Sequence, residues 1–181
     1  MESFEELLAW VTELLGGHLY EGIFLAALIE TVVPPIPTLA VFPTAGFLAS
    51  QNGIPPSGLV PLIILGSAGA TLGSSAIYLV ALKLGRSVML RYLNRMRVSE
   101  ENLKRVEDWF ERHGDKAVFI CRMIPVMREM ISIPAGLLRM RAPKFVLYTY
   151  AGSAVWACIT ILAGYYFGEA IGLVSTAGGG E

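Results

Sequence analysis

The chain has 181 residues, 54% of them hydrophobic and 16% charged, with a mean hydropathy of +0.58. That balance suits one membrane domain spanning residues 1–181 and excludes an ordinary soluble protein. A net charge of −1 gives no argument for a nucleic-acid partner, and Cys121 and Cys158 sit in apolar segments with no disulfide or metal-ligand spacing, so neither a metal nor a cofactor is expected.

Residues 1–17 open with an amphipathic helix. Ser3 can cap it, Glu5 and Glu6 suit its positive end, and Phe4, Leu7, Leu8, Val11, Leu14 and Leu15 share one face before Gly16-Gly17 ends it. The acidic start does not resemble a cleavable signal. Residues 18–82 hold a hairpin and a span. No charge occurs in the 52 residues 31–82, whereas one crossing needs about 20 residues. Pro34, Pro35 and Pro37 break this run. Residues 22–33 enter, the prolines turn, and residues 38–50 return. Each arm of roughly 12 residues is about 18 Å of helix, which reaches mid-bilayer. A single kinked crossing over residues 23–42 is the alternative, but three prolines in four residues favour a re-entrant hairpin. Residues 59–82 form the first full span, with Gly66, Gly69 and Gly73 at helix-packing spacing.

Residues 83–116 are a polar connector carrying nine of the 14 lysines and arginines, and none precedes Lys83. The positive-inside bias makes it cytoplasmic. Ser99, Glu100 and Glu101 start a helix there that Gly114 stops, with Leu103, Val106, Trp109 and Phe110 as an apolar stripe resting on the membrane surface. Residues 117–170 repeat the hairpin-plus-span plan, with residues 145–168 as the second full span, and residues 171–181 read as a flexible tail. Within them, FICRMIPVMREMISIPAG (residues 119–136) is mostly apolar yet carries Arg122, Arg128 and Glu129, and Pro125 and Pro134 break it. A charge at bilayer depth costs roughly 2.5–3.5 kcal/mol on insertion scales and therefore faces protein or a wet cavity. Tyr78, Tyr148, Tyr150, Trp156, Tyr165 and Tyr166 are read as interface belts and packing, and His18 and His113 as surface residues.

The halves match weakly. Pro35 and Pro125 lie 90 residues apart, as do Ala45-Gly46 and Ala135-Gly136. With one span between them, the hairpins enter from opposite faces. The expected fold is an all-α integral membrane protein with two opposed re-entrant helical hairpins and transmembrane helices in an inverted repeat.

ETVVPPIP with AGFLA, then YLVALKLGR, HGDKAVFICRMIPVMREMISIPAG and GSAVW, resemble the DedA family, relatives of the eukaryotic VTT-domain proteins, over residues 22–168. The R-x-x-P-x-x-R run closing on PAG is the most specific part. The resemblance implies a multi-pass protein of the inner (plasma) membrane. It also implies movement of undecaprenyl (polyprenyl) phosphate or phospholipid across the bilayer, with dependence on the proton gradient. Arg122 and Arg128 match the family's arginine pair, and Glu30 its acid ahead of the prolines. Many members carry a second acid just after the turn; here Thr38-Leu39 stand there, which weakens the case for coupling through paired acids.

Guanidinium suits a lipid phosphate because it offers two parallel hydrogen bonds and stays charged. Arg122 and Arg128 are thus the candidate phosphate-headgroup residues and Glu30 their proton or charge partner. Pro34, Pro35, Pro37, Pro125 and Pro134 are the hairpin breaks. The expected partners are an anionic lipid or polyprenyl phosphate and the membrane itself, with homo-oligomerisation left open. Three functions compete: a transporter, which is not an enzyme; a membrane-embedded lipid-phosphate enzyme; and a non-transporting scaffold. A salt bridge from Glu30 that merely pins the hairpins is the competing account of the charges.

The charge asymmetry puts the connector inside and both termini outside. In a chain with Cys121 and Cys158 replaced by alanine, Ser99→Cys should react with a membrane-impermeant maleimide only after the cells are opened. Labelling in intact cells contradicts this topology.

Overall fold

Among the described residues, two helices are long and apolar enough to cross a bilayer, Pro56–Gly85 with 30 residues and Ala142–Ala170 with 29, each with a mean hydropathy of 1.6. At 1.5 Å per residue both exceed the roughly 30 Å hydrocarbon core. Only 44% and 33% of their most apolar windows are buried in the protein. Leu72, Leu84, Leu147, Ile159 and Phe167 face outward, which fits lipid contact rather than the core of a soluble protein. The expected spans over residues 59–82 and 145–168 lie inside these two helices.

The computed structural model describes residue 15 and residues 17–32, 41–95 and 100–178, with side chains described except at 86–95, 100, 102, 103, 106, 126, 129 and 171–178. Among the described residues every regular element is helical: α1 Leu19–Val32, α2 Val41–Gln51, a 3-10 turn Pro56–Gly58, α3 Leu59–Arg95, α4 Glu100–His113, α5 Lys116–Cys121, α6 Pro125–Met130, α7 Ser132–Leu137 and α8 Ala142–Gly178. The N-terminal amphipathic helix, the turn with Pro34, Pro35 and Pro37, and the Ser99 cap lie outside the described residues. Gly85 interrupts α3 at φ 73°, ψ −175°, a left-handed conformation that suits glycine. It bends the chain where the apolar span gives way to the basic connector.

The first arm of each helical group packs on the span of its own half. Helix α1 lies on α3, where a Cβ on Gly69 would strike the Phe24 carbonyl and one on Gly73 would lie 2.9 Å from the Leu28 carbonyl. Helix α5 lies on α8, where a Cβ on Gly152 would lie 3.0 Å from the Phe119 carbonyl. The second arms cross over. Helix α2 packs on α8, with Gly46 against the Ile161 carbonyl and the Tyr165 amide; α7 packs on α3, with Gly136 against the Tyr78 carbonyl and the Leu82 amide. Side chains as small as hydrogen let these backbones touch.

The two groups are anchored at opposite ends of α8. Near its C-terminal end, Gln51 Nε2 donates to the Gly168 carbonyl (3.2 Å) and Tyr165 Oη to the Ile54 carbonyl (2.9 Å), while Tyr20 Oη reaches the Gly58 carbonyl. At its N-terminal end Lys144 pairs with Asp115 at 2.6 Å, Tyr78 Oη donates to the Met140 carbonyl, and the Tyr78 and Phe145 rings stack at 4.4 Å. One correction concerns the connector helix. Phe110 is not laid on the membrane surface but buried, clustering with Ala117, Val118 and Ile131, because the second helical group offers it a protein surface.

Adding bulk at the crossover contacts should therefore be costly. Gly46→Val and Gly136→Val should each destabilise the protein by about 1–3 kcal/mol, whereas Ile159→Val, on an outward-facing residue, should shift stability by less than about 0.5 kcal/mol. Melting curves in detergent check both.

Candidate functional site

The site begins with the break at Pro125. The residue before a proline is pushed out of the helical region, and Ile124 is extended at φ −108°, ψ 118°. Helix α5 therefore ends at Cys121, Arg122 caps it, and Pro125 starts α6 at the first-turn position where its missing N–H is harmless. In one unbroken helix, Arg122 and Arg128 would point about 120° apart. The break brings both against the same face of α8. Gly152 is so close to Arg122 that a Cβ there would lie 2.6 Å from the arginine's Cβ. Arg128 Cζ sits 5.3 Å from the Trp156 ring centroid and 5.7 Å from that of Phe42. Gly152 and Trp156 are one turn apart, about 6 Å along the axis.

Both arginines are removed from the surface, Arg122 at 1% and Arg128 at 2% exposure. Trp156 is the middle residue of the Ala142–Ala170 span, so the Arg128 cation lies beside the middle of that helix. Neighbouring groups offset the loss of water at both arginines. Arg122 Nη2 donates to the buried Ser132 Oγ at 3.0 Å, and the aromatic faces around Arg128 attract its charge. Glu30 is buried at 2% exposure in the last turn of α1, and the same helical pair supplies Phe42 from the start of α2. Glu30 thus lies in the protein interior rather than toward lipid.

Pro34, Pro35 and Pro37 fall outside the described residues. Pro125 breaks the second group where expected. The interruption expected at Pro134 falls earlier, at Ile131 between α6 and α7. Proline cannot donate to the carbonyl four residues back and its ring crowds that carbonyl, so the disturbance appears upstream while Pro134 sits within α7. Phe42, Ser132 and Gly152 were not foreseen as neighbours of the arginines, and Trp156 is not an interface-belt residue. Its central position was the available signal, since belt tryptophans sit at the ends of a span. His18 and His113 are exposed, as expected, and His113 stacks on Trp109. Among the described residues, no three His, Cys, Asp or Glu side chains come together as a metal site would require. What the arrangement offers chemically is two buried guanidinium groups set against one face of α8.

The VTT domain family matches residues 33–166. The chain is 29% identical to undecaprenyl phosphate transporter A of Staphylococcus aureus, covering 92% of this chain and 82% of that protein. It is 32% identical to undecaprenyl phosphate transporter A of Bacillus subtilis, covering 91% and 77%. A Lactococcus lactis relative named alkaline phosphatase-like protein is 29% identical over 88% of this chain and 75% of its own length. No solved structure matches.

If Ser132 supports Arg122, Ser132→Ala should destabilise the protein by about 1–3 kcal/mol, the range for leaving a buried polar group without its partner. Ser132→Thr should restore much of that stability. Thermal melts of both variants test it.

Proposed function

Because the chain belongs to the VTT-domain family, that of the DedA membrane proteins, we propose that it carries an anionic lipid, polyprenyl phosphate or phospholipid, across the plasma membrane. The observation that supports this best is the pair of buried arginines meeting one face of α8, Arg128 at mid-span. A phosphate crossing the bilayer has lost its water, and two guanidinium forks replace it with charge-assisted hydrogen bonds. The names of two transporter relatives favour polyprenyl phosphate as the cargo.

In this reading the two helical groups are re-entrant hairpins that enter from opposite faces and meet at the arginines. The ties at opposite ends of α8, and the crossover of each second arm onto the other half's span, support that inverted arrangement. Each hairpin then gives the headgroup a route from one leaflet to the centre. Ionised Glu30 balances the arginines between transport events and takes up a proton when the phosphate charge replaces its own, which links movement to the proton gradient.

The name of the Lactococcus relative favours a second reading, cleavage of a lipid phosphate. One assay separates the two. In proteoliposomes, the transporter should move labelled undecaprenyl phosphate between leaflets without releasing inorganic phosphate; release without movement supports the enzyme. Arg122→Lys and Arg128→Lys keep the charge but lose the planar fork. Each should slow movement by about tenfold or more, the worth of one hydrogen bond to a charged group, with little change in melting temperature. Normal movement by the double lysine variant contradicts the phosphate cradle and leaves a structural ion pair as the better account.

A further inference from the structure

Most buried or half-buried helix hydroxyls described in this protein share one habit. Thr31, Ser67, Thr71, Ser74, Ser75 and Thr160 each donate to the carbonyl four residues back, at 2.6–2.8 Å. Thr149 and Ser153 do not. They are 0% and 1% exposed, and neither hydroxyl makes a hydrogen bond; the buried Trp156 Nε1 makes none either. A buried polar group without a partner costs free energy, and native structures hold few of them. Three on one helix need a reason.

Their placement supplies one. Thr149, Gly152, Ser153 and Trp156 follow i, i+3, i+4, i+7 spacing and so fall within about 100° of arc on α8. Gly152 touches Arg122 and Trp156 touches Arg128. The three donors therefore run along the strip of helix on which both arginines rest. Hydroxyl and indole N–H groups donate without adding charge, which suits the remaining oxygens of a bound phosphate. A hydroxyl held by its own helix carbonyl has already spent its proton; these have not.

We propose that Thr149, Ser153 and Trp156 complete the headgroup site, donating from the second span to phosphate oxygens held on the other side by Arg122 and Arg128. This rests on the phosphate reading of the arginines. It makes α8 a binding wall for the monoester phosphate of a polyprenyl carrier, whose exposed oxygens can take up several donors at once.

The purified full-length chain in detergent is titrated with farnesyl phosphate, and with farnesol as the uncharged control, and affinity is read from the ligand-induced rise in melting temperature. Thr149→Val and Ser153→Ala remove donors that make no bond in the free protein, so both should melt at or above the wild-type temperature without ligand. Each should bind farnesyl phosphate roughly tenfold more weakly, with farnesol unaffected, and Trp156→Phe should weaken it in the same direction. Thr149→Ser keeps the hydroxyl and should bind like wild type. Wild-type affinity in the Thr149→Val/Ser153→Ala double variant, with Arg128→Lys weakened, overturns this assignment alone. Equal loss in Thr149→Ser and Thr149→Val marks a packing role and overturns it too. Equal affinity of the wild type for farnesyl phosphate and farnesol overturns both this assignment and the phosphate reading beneath it.

Discussion

Holding two guanidinium groups away from water near the middle of a membrane protein is the constraint that most of this structure answers. Neither arginine can deprotonate to escape the cost, and lipid offers nothing to solvate it. Protein must therefore surround both with groups that tolerate positive charge. Ser132 meets one arginine and the Trp156 and Phe42 faces meet the other. Helix α8 runs past both. No single helix could have supplied this enclosure, because residues six apart diverge on an unbroken helix.

The breaks and the glycines are two halves of that solution. Pro125 ends one short helix and starts the next, so that Arg122 and Arg128 turn toward the same partner. Short helices expose unpaired backbone groups, which a bilayer does not tolerate unless protein covers them. The close backbone contacts at Gly46, Gly136 and Gly152 provide that cover by pressing the arms against the spans. The ties at either end of α8 then fix where each arm sits along that helix.

Much of this was legible in the sequence, and the limit was physical. The two spans and the buried arginines follow from hydropathy and from charges stranded in apolar surroundings, both local properties. Pro125 announced its own break. Which span each arm chooses is not local: Gly46 and Ile161 are neighbours only because the chain crosses over, and nothing near Gly46 encodes that choice. The 90-residue spacing of the Ala-Gly pairs hinted at equivalent roles without naming partners. Of the two roles read for Trp156, interface belt and packing, its place at mid-span against the core and beside Arg128 leaves packing. Pro134 is a correct residue with its effect displaced upstream, because the carbonyl it disturbs belongs to the preceding turn.

The central claim is that the arginines touch lipid phosphate itself. Solid-state NMR can measure it directly, with guanidinium 15N labels in bilayers carrying a polyprenyl phosphate and dephasing by its 31P nucleus as the readout. The account predicts strong dephasing of two arginine side chains, at N–P distances of about 4 Å as charge-assisted hydrogen bonds require, lost for one signal in Arg122→Lys and for the other in Arg128→Lys. Dephasing confined to the basic residues of the connector, with the buried pair unaffected at saturating lipid phosphate, would contradict it.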